Sequence, residues 1–185
     1  EGSNIVFEWN NTTLAALAIN TTAKNVTYDI SIDYLNNYLY AANWAGMLQR
    51  VKLCEGEVCL YEEEQVLNPW EYVPLPTDDM ASMECGINAT YPDSYVYNPI
   101  DPPSGYHNHK AFSVLVNSYN GETYIWAGTA NGVNRGKLEN DGCISWEHFT
   151  VDDGLAGDWV IDIVPVVDEN YNTQRIWLIS WTLNG

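Results

Sequence analysis

The sequence has few basic residues. Seven lysines and arginines stand against 25 aspartates and glutamates, which gives a net charge of −18 at pH 7. Such a surface repels nucleic-acid phosphates and anionic lipid headgroups, so we expect neither a nucleic-acid partner nor membrane insertion. Charged residues are nevertheless only 17% of the 185 residues and 46% are hydrophobic, which is typical of one folded domain rather than of a disordered acidic chain.

Long apolar stretches are also missing. Asn, Asp or Pro interrupts the hydrophobic runs well before the roughly 20 residues that a membrane-spanning helix needs. No initiator methionine or signal peptide precedes Glu1, which fits a processed mature protein or an excised fragment.

Motifs for catalysis and for zinc or haem binding are absent. The sequence has no C-x-x-C, no C-x-x-C-H and no G-x-S-x-G, and its three histidines stand in no triad context. Acidic groups at Asp78–Asp79, Asp152–Asp153 and 62–64 offer paired carboxylates for glycoside hydrolysis, but they are more typical of solvated turns. We therefore expect no catalytic residue and no required cofactor.

Four cysteines are present, an even number. Cys54 and Cys59 flank a tight turn, Glu55 to Val58, so they can face each other across a hairpin. This predicts a Cys54–Cys59 disulfide and leaves Cys85 and Cys143 as the second pair, with four free thiols as the alternative.

N-glycosylation sequons are concentrated near the start of the chain. Glycans attached there place these residues on the surface of a secreted protein, which together with the cysteines predicts an extracellular or cell-surface location. The acceptor residues are Asn10, Asn11, Asn20, Asn25 and Asn88.

Three stretches of the sequence resemble one another: YLYAANWAGMLQR at 38–50, YIWAGTANGVNR at 124–135 and RIWLISWTLNG at 175–185. A short apolar strand and a turn rich in Asn, Asp and Gly precede each, so each predicts an antiparallel hairpin. The third residue of each copy is aromatic, and the repeat position of the two tryptophans predicts a place in the core. These aromatic residues are Tyr40, Trp126 and Trp177.

The repeat predicts an all-β fold of propeller-like blades, with a β-sandwich as the alternative. An aromatic-Glu strand precedes each copy, so we place the units at about 7–67, 70–143 and 146–185, the last incomplete. The second unit is too long for one blade, and we assign the excess to an insertion at 74–110, with a degenerate extra blade as the competing account. Three blades do not close a ring, so we expect strands from another chain or another part of the same protein.

The segment IWAGTANGVNR, followed by WEHFTVDDGLAGDWVIDIVPVVD, resembles propeller repeats in the periplasmic sensor regions of hybrid two-component regulators. The resemblance covers about residues 112–180 and is faint over 26–60. It implies a recognition scaffold outside the cytoplasm, of the kind that senses glycans, and it identifies no ligand.

The insertion carries the candidate binding residues. Its tyrosines lie outside the repeat, so periodic burial does not account for them, and tyrosine provides contact area with few rotatable bonds. They are Tyr91, Tyr95, Tyr97 and Tyr106.

Two patterns in the sequence offer ligands to a metal ion. His107 and His109 lie on one face if their segment is extended, which suits copper or zinc, although a polar loop is the simpler interpretation. Asp168, Asn170 and Asn172 have a spacing that offers oxygens to calcium, but the bidentate Glu of a full calcium loop is missing and a hairpin turn explains them.

Two classes of function remain. We expect a non-catalytic extracellular recognition or assembly module that binds a protein or glycan partner through 74–110. The alternative is a fragment of a propeller sensor or enzyme whose active part lies outside this chain.

Overall fold

The described part of the chain is almost entirely antiparallel β-structure. The computed structural model describes residues 4–5, 18–19, 26–44, 47–55, 58–59, 71–85, 107–169 and 172–182. Short 3₁₀ turns lie at His107–His109 and Val151–Asp153. The strands are β1 (Asn4–Ile5), β2 (Ala18–Ile19), β3 (Thr27–Asp33), β4 (Tyr38–Asn43), β5 (Met47–Lys52), β6 (Cys54–Glu55), β7 (Val58–Cys59), β8 (Glu71–Val73), β9 (Ser82–Met83), β10 (Ala111–Tyr119), β11 (Glu122–Thr129), β12 (Gly132–Leu138), β13 (Ile144–Phe149), β14 (Trp159–Val167) and β15 (Thr173–Trp181).

Three sheets make up most of the described structure. The first sheet has the order β3-β4-β5-β8, the second β10-β11-β12-β13-β9 and the third β14-β15. Two small pairs, β1-β2 and β6-β7, complete the set. The all-β prediction is therefore confirmed. Among the described residues, no helix is long and apolar enough to span a membrane.

The three sheets begin with the same irregularity. The pairing of the first strand with the second skips one residue near its start, at Tyr28 in β3, Phe112 in β10 and Ile161 in β14. Counting from this bulge gives each residue an equivalent in the other sheets. Tyr40, Trp126 and Trp177 then hold the same place in the second strand, as the repeat predicted.

The hairpin turns use the residue types that the sequence indicated. Asn37, Asn120 and Gly121 have positive φ values of 60°, 52° and 79°, which Asn and Gly adopt most readily. Gly132, with φ of 93°, starts β12 so close to β13 that a Cβ would overlap the carbonyl of Phe149. A larger residue at 132 is therefore excluded on both conformational and steric grounds.

Two apolar clusters lie between successive sheets. The first joins Tyr40, Ala42 and Leu48 of the first sheet to residues of the second sheet such as Ile125 and Trp146. The second is built on Val133, Val160 and Ile163, with Leu178 and Trp126 at its margin. The first strands lie against one another in chain order, β3 against β10 and β10 against β14. Each sheet therefore covers one face of the preceding sheet.

The boundaries of the sheets differ from those of the predicted units. β8, which begins at the glutamate of the first motif, Glu71, pairs with β5, and β13, which carries the motif at 146–147, pairs with β12. These strands close the sheet that precedes them instead of opening the next. The sequence pattern shows that the motif recurs, but it does not show which neighbouring strand each motif strand pairs with. In the structure each motif strand hydrogen-bonds to the strand that precedes it.

The prediction that Trp177 lies in the core was wrong. Tyr40 is fully buried because the second sheet covers its face, and Trp126 is half-buried beside the third sheet. Trp177 occupies the same repeat position but is 59% exposed. No further described sheet covers its face, so the repeat position alone does not bury the ring.

Candidate functional site

The flanks of the 74–110 segment are held tightly against the second sheet. β9 pairs with β13, with Met83 opposite Trp146. Cys85 and Cys143 form a disulfide with a Cα–Cα distance of 5.7 Å, which confirms that predicted pairing. The backbone N–H of Cys85 also donates to Ser145 Oγ at 3.2 Å. One end of the segment is therefore fixed at residue 85.

The other end is fixed by a carboxylate. Asp78 Oδ2 accepts the backbone N–H of His107 at 3.0 Å and lies 3.1 Å from its ring Nδ1, while Oδ1 accepts the N–H of Asn108 at 2.8 Å. These bonds join 74–85 to 107–110. Asp78 was expected to be a solvated turn residue, and its role as a clamp depends on contacts 29 and 30 residues away.

A buried amide pair continues this clamp into the sheet. Asn108 and Asn134 are fully buried, and each side-chain amide donates to the other's oxygen at 2.8 Å. Asn108 also donates to the carbonyl of Pro76 at 2.7 Å and accepts from Thr129 Oγ1 at 2.7 Å. Leaving such a group buried without a partner costs about 1–3 kcal/mol, so the network fixes the segment in one position.

His107 and His109 do not come together as a metal pair. Their segment is a 3₁₀ turn, with three residues per turn, and not the extended strand that would place both on one face. His107 is exposed beside Asp78, whereas His109 is buried and its Nε2 lies 2.9 Å from the carbonyl oxygen of Leu75. Burial lowers the pKa of His109, against the opposing effects of the Leu75 carbonyl and Asp78, so the neutral ring donates to Leu75.

A third histidine, which the sequence did not single out, ties the same region together. His148 of β13 is buried, and its Nδ1 and Nε2 lie 3.0 Å and 2.6 Å from the carbonyl oxygens of Met80 and Asn131. Its backbone N–H donates to Ala81. His148 therefore holds the strand of the second sheet to the 74–85 flank.

The other predicted sites are structural where they are described. Asp168 accepts the backbone N–H of Asn172 at 2.9 Å and the amide of Gln174 at 3.1 Å, so its carboxylate organises the β14–β15 turn. Asp153 caps the 3₁₀ turn at Val151–Asp153 by accepting the N–H of Thr150. Cys54 and Cys59 lie opposite each other in β6-β7, as the hairpin predicted, but their side chains are outside the described set, so their disulfide stays a prediction.

Several predicted residues lie outside the described part of the chain. They are Tyr91, Tyr95, Tyr97 and Tyr106 of the segment, the sequon residues Asn10, Asn11, Asn20, Asn25 and Asn88, Asn170 of the calcium pattern and the acidic run 62–64. One group of His, Cys, Asp and Glu side chains in the described residues is close enough to hold a metal ion, namely Cys85, Asp141 and Cys143. Its two sulfurs form the disulfide and provide no thiolate ligand.

A cross-strand ladder recurs in the first two sheets. Tyr40, Arg50 and Glu71 lie side by side on β4, β5 and β8, and Trp126, Arg135 and Glu147 repeat this on β11, β12 and β13. Each arginine pairs with its glutamate, and each also contacts aromatic rings. Arg50 in addition donates to the carbonyl of Gly142 at 2.7 Å and so links the first sheet to the second. The arginines and the glutamates of the aromatic-Glu motif were both visible in the sequence, but their pairing was not, because each glutamate lies on a different strand from its arginine.

An open groove lies between the second and third sheets. Its volume is about 490 Å³, and it combines aromatic rings with amide, hydroxyl and guanidinium groups. Trp126 donates its ring N–H to Asn117 Oδ1 at 3.0 Å, which leaves the ring fixed at the groove wall. The residues that line it include Asn117, Tyr119, Tyr124, Trp126, Arg135 and Gln174.

Comparison with protein-family models, curated proteins and solved structures finds no match to this chain.

Proposed function

We propose that the chain is a non-catalytic extracellular recognition or assembly module built from propeller-like units. Three observations support the propeller-like arrangement: the shared bulge, the equivalent aromatic positions, and the stacking of first strand on first strand in chain order. Meandering sheets that pack in this way around their first strands are characteristic of propeller blades.

The Cys85–Cys143 disulfide supports the extracellular location. Disulfides persist in oxidising compartments and are rare in the cytosol. The clustered sequons point the same way, since N-glycans are added to secreted chains. Intact-mass measurement of the natural protein before and after glycosidase treatment tests this part, and an unchanged mass would contradict the glycosylation.

The contact region of the module is the part of 74–110 between the two fixed ends, residues 86–106. The observation that carries this proposal is the double anchor, the disulfide at Cys85 and the Asp78 clamp on His107 and Asn108. A segment whose ends are held on a rigid sheet has less conformational freedom to lose when it binds. Tyr91, Tyr95, Tyr97 and Tyr106 lie in or at the end of this stretch.

Deletion of 88–104 behind a short Gly/Ser link tests this role. The deletion keeps Cys85, Asp78 and β9, so the second sheet stays intact. We expect native mass spectrometry at micromolar concentration to show assemblies of the unmodified chain and monomers of the deletion variant, with unchanged circular dichroism. A second variant, in which Gly and Ser replace 88–104 without shortening, separates the effect of sequence from that of length. Assembly that survives in both variants would refute the contact role.

Glycan binding in the groove between the second and third sheets is a second candidate function. Exposed rings beside amide and guanidinium groups suit a sugar, which stacks its apolar face and hydrogen-bonds with its hydroxyls. We expect saturation-transfer NMR with a panel of neutral and acidic oligosaccharides to detect binding that Tyr119→Ala abolishes. Equal signals for the variant and the unmodified chain would place any sugar elsewhere.

A further inference from the structure

One edge of β15 has no pairing strand among the residues that the structure describes. β15 pairs with β14 on one side, and no strand in the described ranges pairs with its other side. Trp177, Ile179 and Trp181 form an apolar row on its outward face, with exposures of 59%, 46% and 56%. An unpaired edge beside an apolar row is a template on which another chain can add a strand.

In the first two sheets an arginine-bearing strand occupies the equivalent edge. Arg50 of β5 lies opposite Tyr40, and Arg135 of β12 lies opposite Trp126. The guanidinium of Arg135 is 5.8 Å from the centre of the Trp126 ring, within the range of a cation–π interaction. Because Trp177 is the equivalent of both aromatic residues, a strand that fits this edge carries an arginine opposite Trp177.

The third sheet differs from the others at the next pair. Two residues before the aromatic, the first two sheets have Tyr38 and Tyr124, which lie opposite Lys52 and Lys137. The third sheet has Arg175 at this place. Like charges directly opposite each other destabilise a strand pair, so a lysine there is disfavoured and a carboxylate is favoured. Arg175 is exposed and forms no ion pair with the described residues.

We propose that the free edge of β15 binds an extended segment of a partner protein with the pattern Arg-x-Asp/Glu. The segment pairs antiparallel to β15, its arginine lies over Trp177, and its acidic residue pairs with Arg175. The arginine also suits the net charge of −18 on the chain. This inference names the kind of partner for the assembly role and so rests on the proposed function, although it uses a different surface from residues 86–106.

Tethering a strand to the full chain tests the pattern without depending on a weak bimolecular affinity. One version appends a copy of residues 132–138, GVNRGKL, behind Gly185 through a Gly/Ser linker, and a second appends the same copy with its Lys137→Glu change. Hydrogen exchange then reports on the amides of β15. We expect slower exchange with the glutamate copy, by about fivefold relative to the lysine copy, as a favourable cross-strand charge pair provides.

Three variants keep the test specific. With Arg175→Glu, the lysine copy should protect the β15 amides more than the glutamate copy does. Trp177→Ala should reduce the protection that both copies give. Tyr34→Ala, which removes an aromatic ring that is 81% exposed in the turn between β3 and β4 of the first sheet, serves as the matched control and should change neither. Equal protection by both copies regardless of residue 175, or no protection in a chain with unchanged near-ultraviolet circular dichroism, would overturn the proposal. Deletion of 88–104 leaves this readout intact, so failure of the contact role is seen separately.

Discussion

Asp29 bonds the first strands of two neighbouring sheets to each other. Its Oδ2 accepts the backbone N–H of Val114 at 2.9 Å, and its Oδ1 accepts that of Ile30 at 2.8 Å. Ser31, two residues further along β3, makes a similar contact: its Oγ accepts the N–H of Val116 at 2.9 Å. β10 is an edge strand, so these side chains satisfy amide groups that would otherwise have no partner in a sheet.

Removal of this carboxylate should loosen the first sheet from the second. We expect Asp29→Ala to lower the free energy of unfolding by about 1–2 kcal/mol, because the N–H of Val114 then lies part-buried without an acceptor. Urea unfolding measures the loss. Asp29→Asn, which keeps one acceptor oxygen, is the matched control and should lose less, and an alanine variant as stable as the asparagine variant would contradict the role.

Gly128 sets the distance between the second and third sheets. A Cβ at this position would overlap Ser113 Oγ and the carbonyl oxygen of Val160, and would lie 2.9 Å from Val160 Cγ1. Gly128→Ala should therefore destabilise the protein by about 1–3 kcal/mol, as overpacking generally does. Hydrogen exchange of the backbone amides should become faster chiefly in β14 and β15. An effect spread evenly over all three sheets would mean that the contact with Val160 is not the cause.

The buried His109 should make stability depend on pH. Burial lowers its pKa in the folded protein, so just below the ordinary value of about 6.5 the unfolded chain binds a proton that the folded chain does not. The contribution of His109 to the free energy of unfolding is therefore fully present above the ordinary histidine pKa. It decreases as the pH falls toward the lowered pKa of the folded protein.

Urea unfolding at pH 7.5 and 5.5 checks this effect. His109→Gln keeps a donor for the Leu75 carbonyl but does not titrate in this range, so we expect it to lose less stability between the two pH values than the unmodified chain. The carboxylates are common to both chains and cancel in the comparison. Parallel losses in the two chains would show that His109 is not the source.

The disulfide should be a main source of stability for the second sheet. Cys85 and Cys143 are separated by 58 residues, and closing a loop of that length stabilises the folded state by about 4 kcal/mol in the chain-entropy description. The double variant Cys85→Ser with Cys143→Ser should show this loss in urea unfolding. Peptide mapping without reduction gives the connectivity in the same material. Four alkylatable thiols in the native chain would contradict both pairings.

The features that could be predicted from the sequence are local. The turn preferences of Asn37, Asn120 and Gly132 act within a few residues, so the hairpins can be predicted from the amino-acid sequence alone. The same holds for the equivalence of Tyr40, Trp126 and Trp177. The Cys85–Cys143 pair was predicted only because pairing Cys54 with Cys59 leaves these two cysteines.

The features that escaped prediction depend on distant partners. Asp78 looks like any turn aspartate until it accepts the amides of His107 and Asn108, and His148 has no motif around it. The burial of Tyr40 and the exposure of Trp177 differ because one face has a neighbouring sheet and the other has none among the described residues. Repeat spacing predicts which positions are alike in backbone but not which of them receive a covering layer.

The location of the disulfide also has a consequence for the order of events during synthesis. Cys54, Cys59 and Cys85 all leave the ribosome before Cys143, which follows Cys85 by 58 positions, a length that takes roughly 3–12 s to synthesise. Within this sequence, the cysteines that Cys85 can meet during that interval are Cys54 and Cys59. The opposition of Cys54 and Cys59 in β6-β7 favours a bond between them, which would remove both competitors and leave Cys85 free to pair with Cys143 when β13 is synthesised.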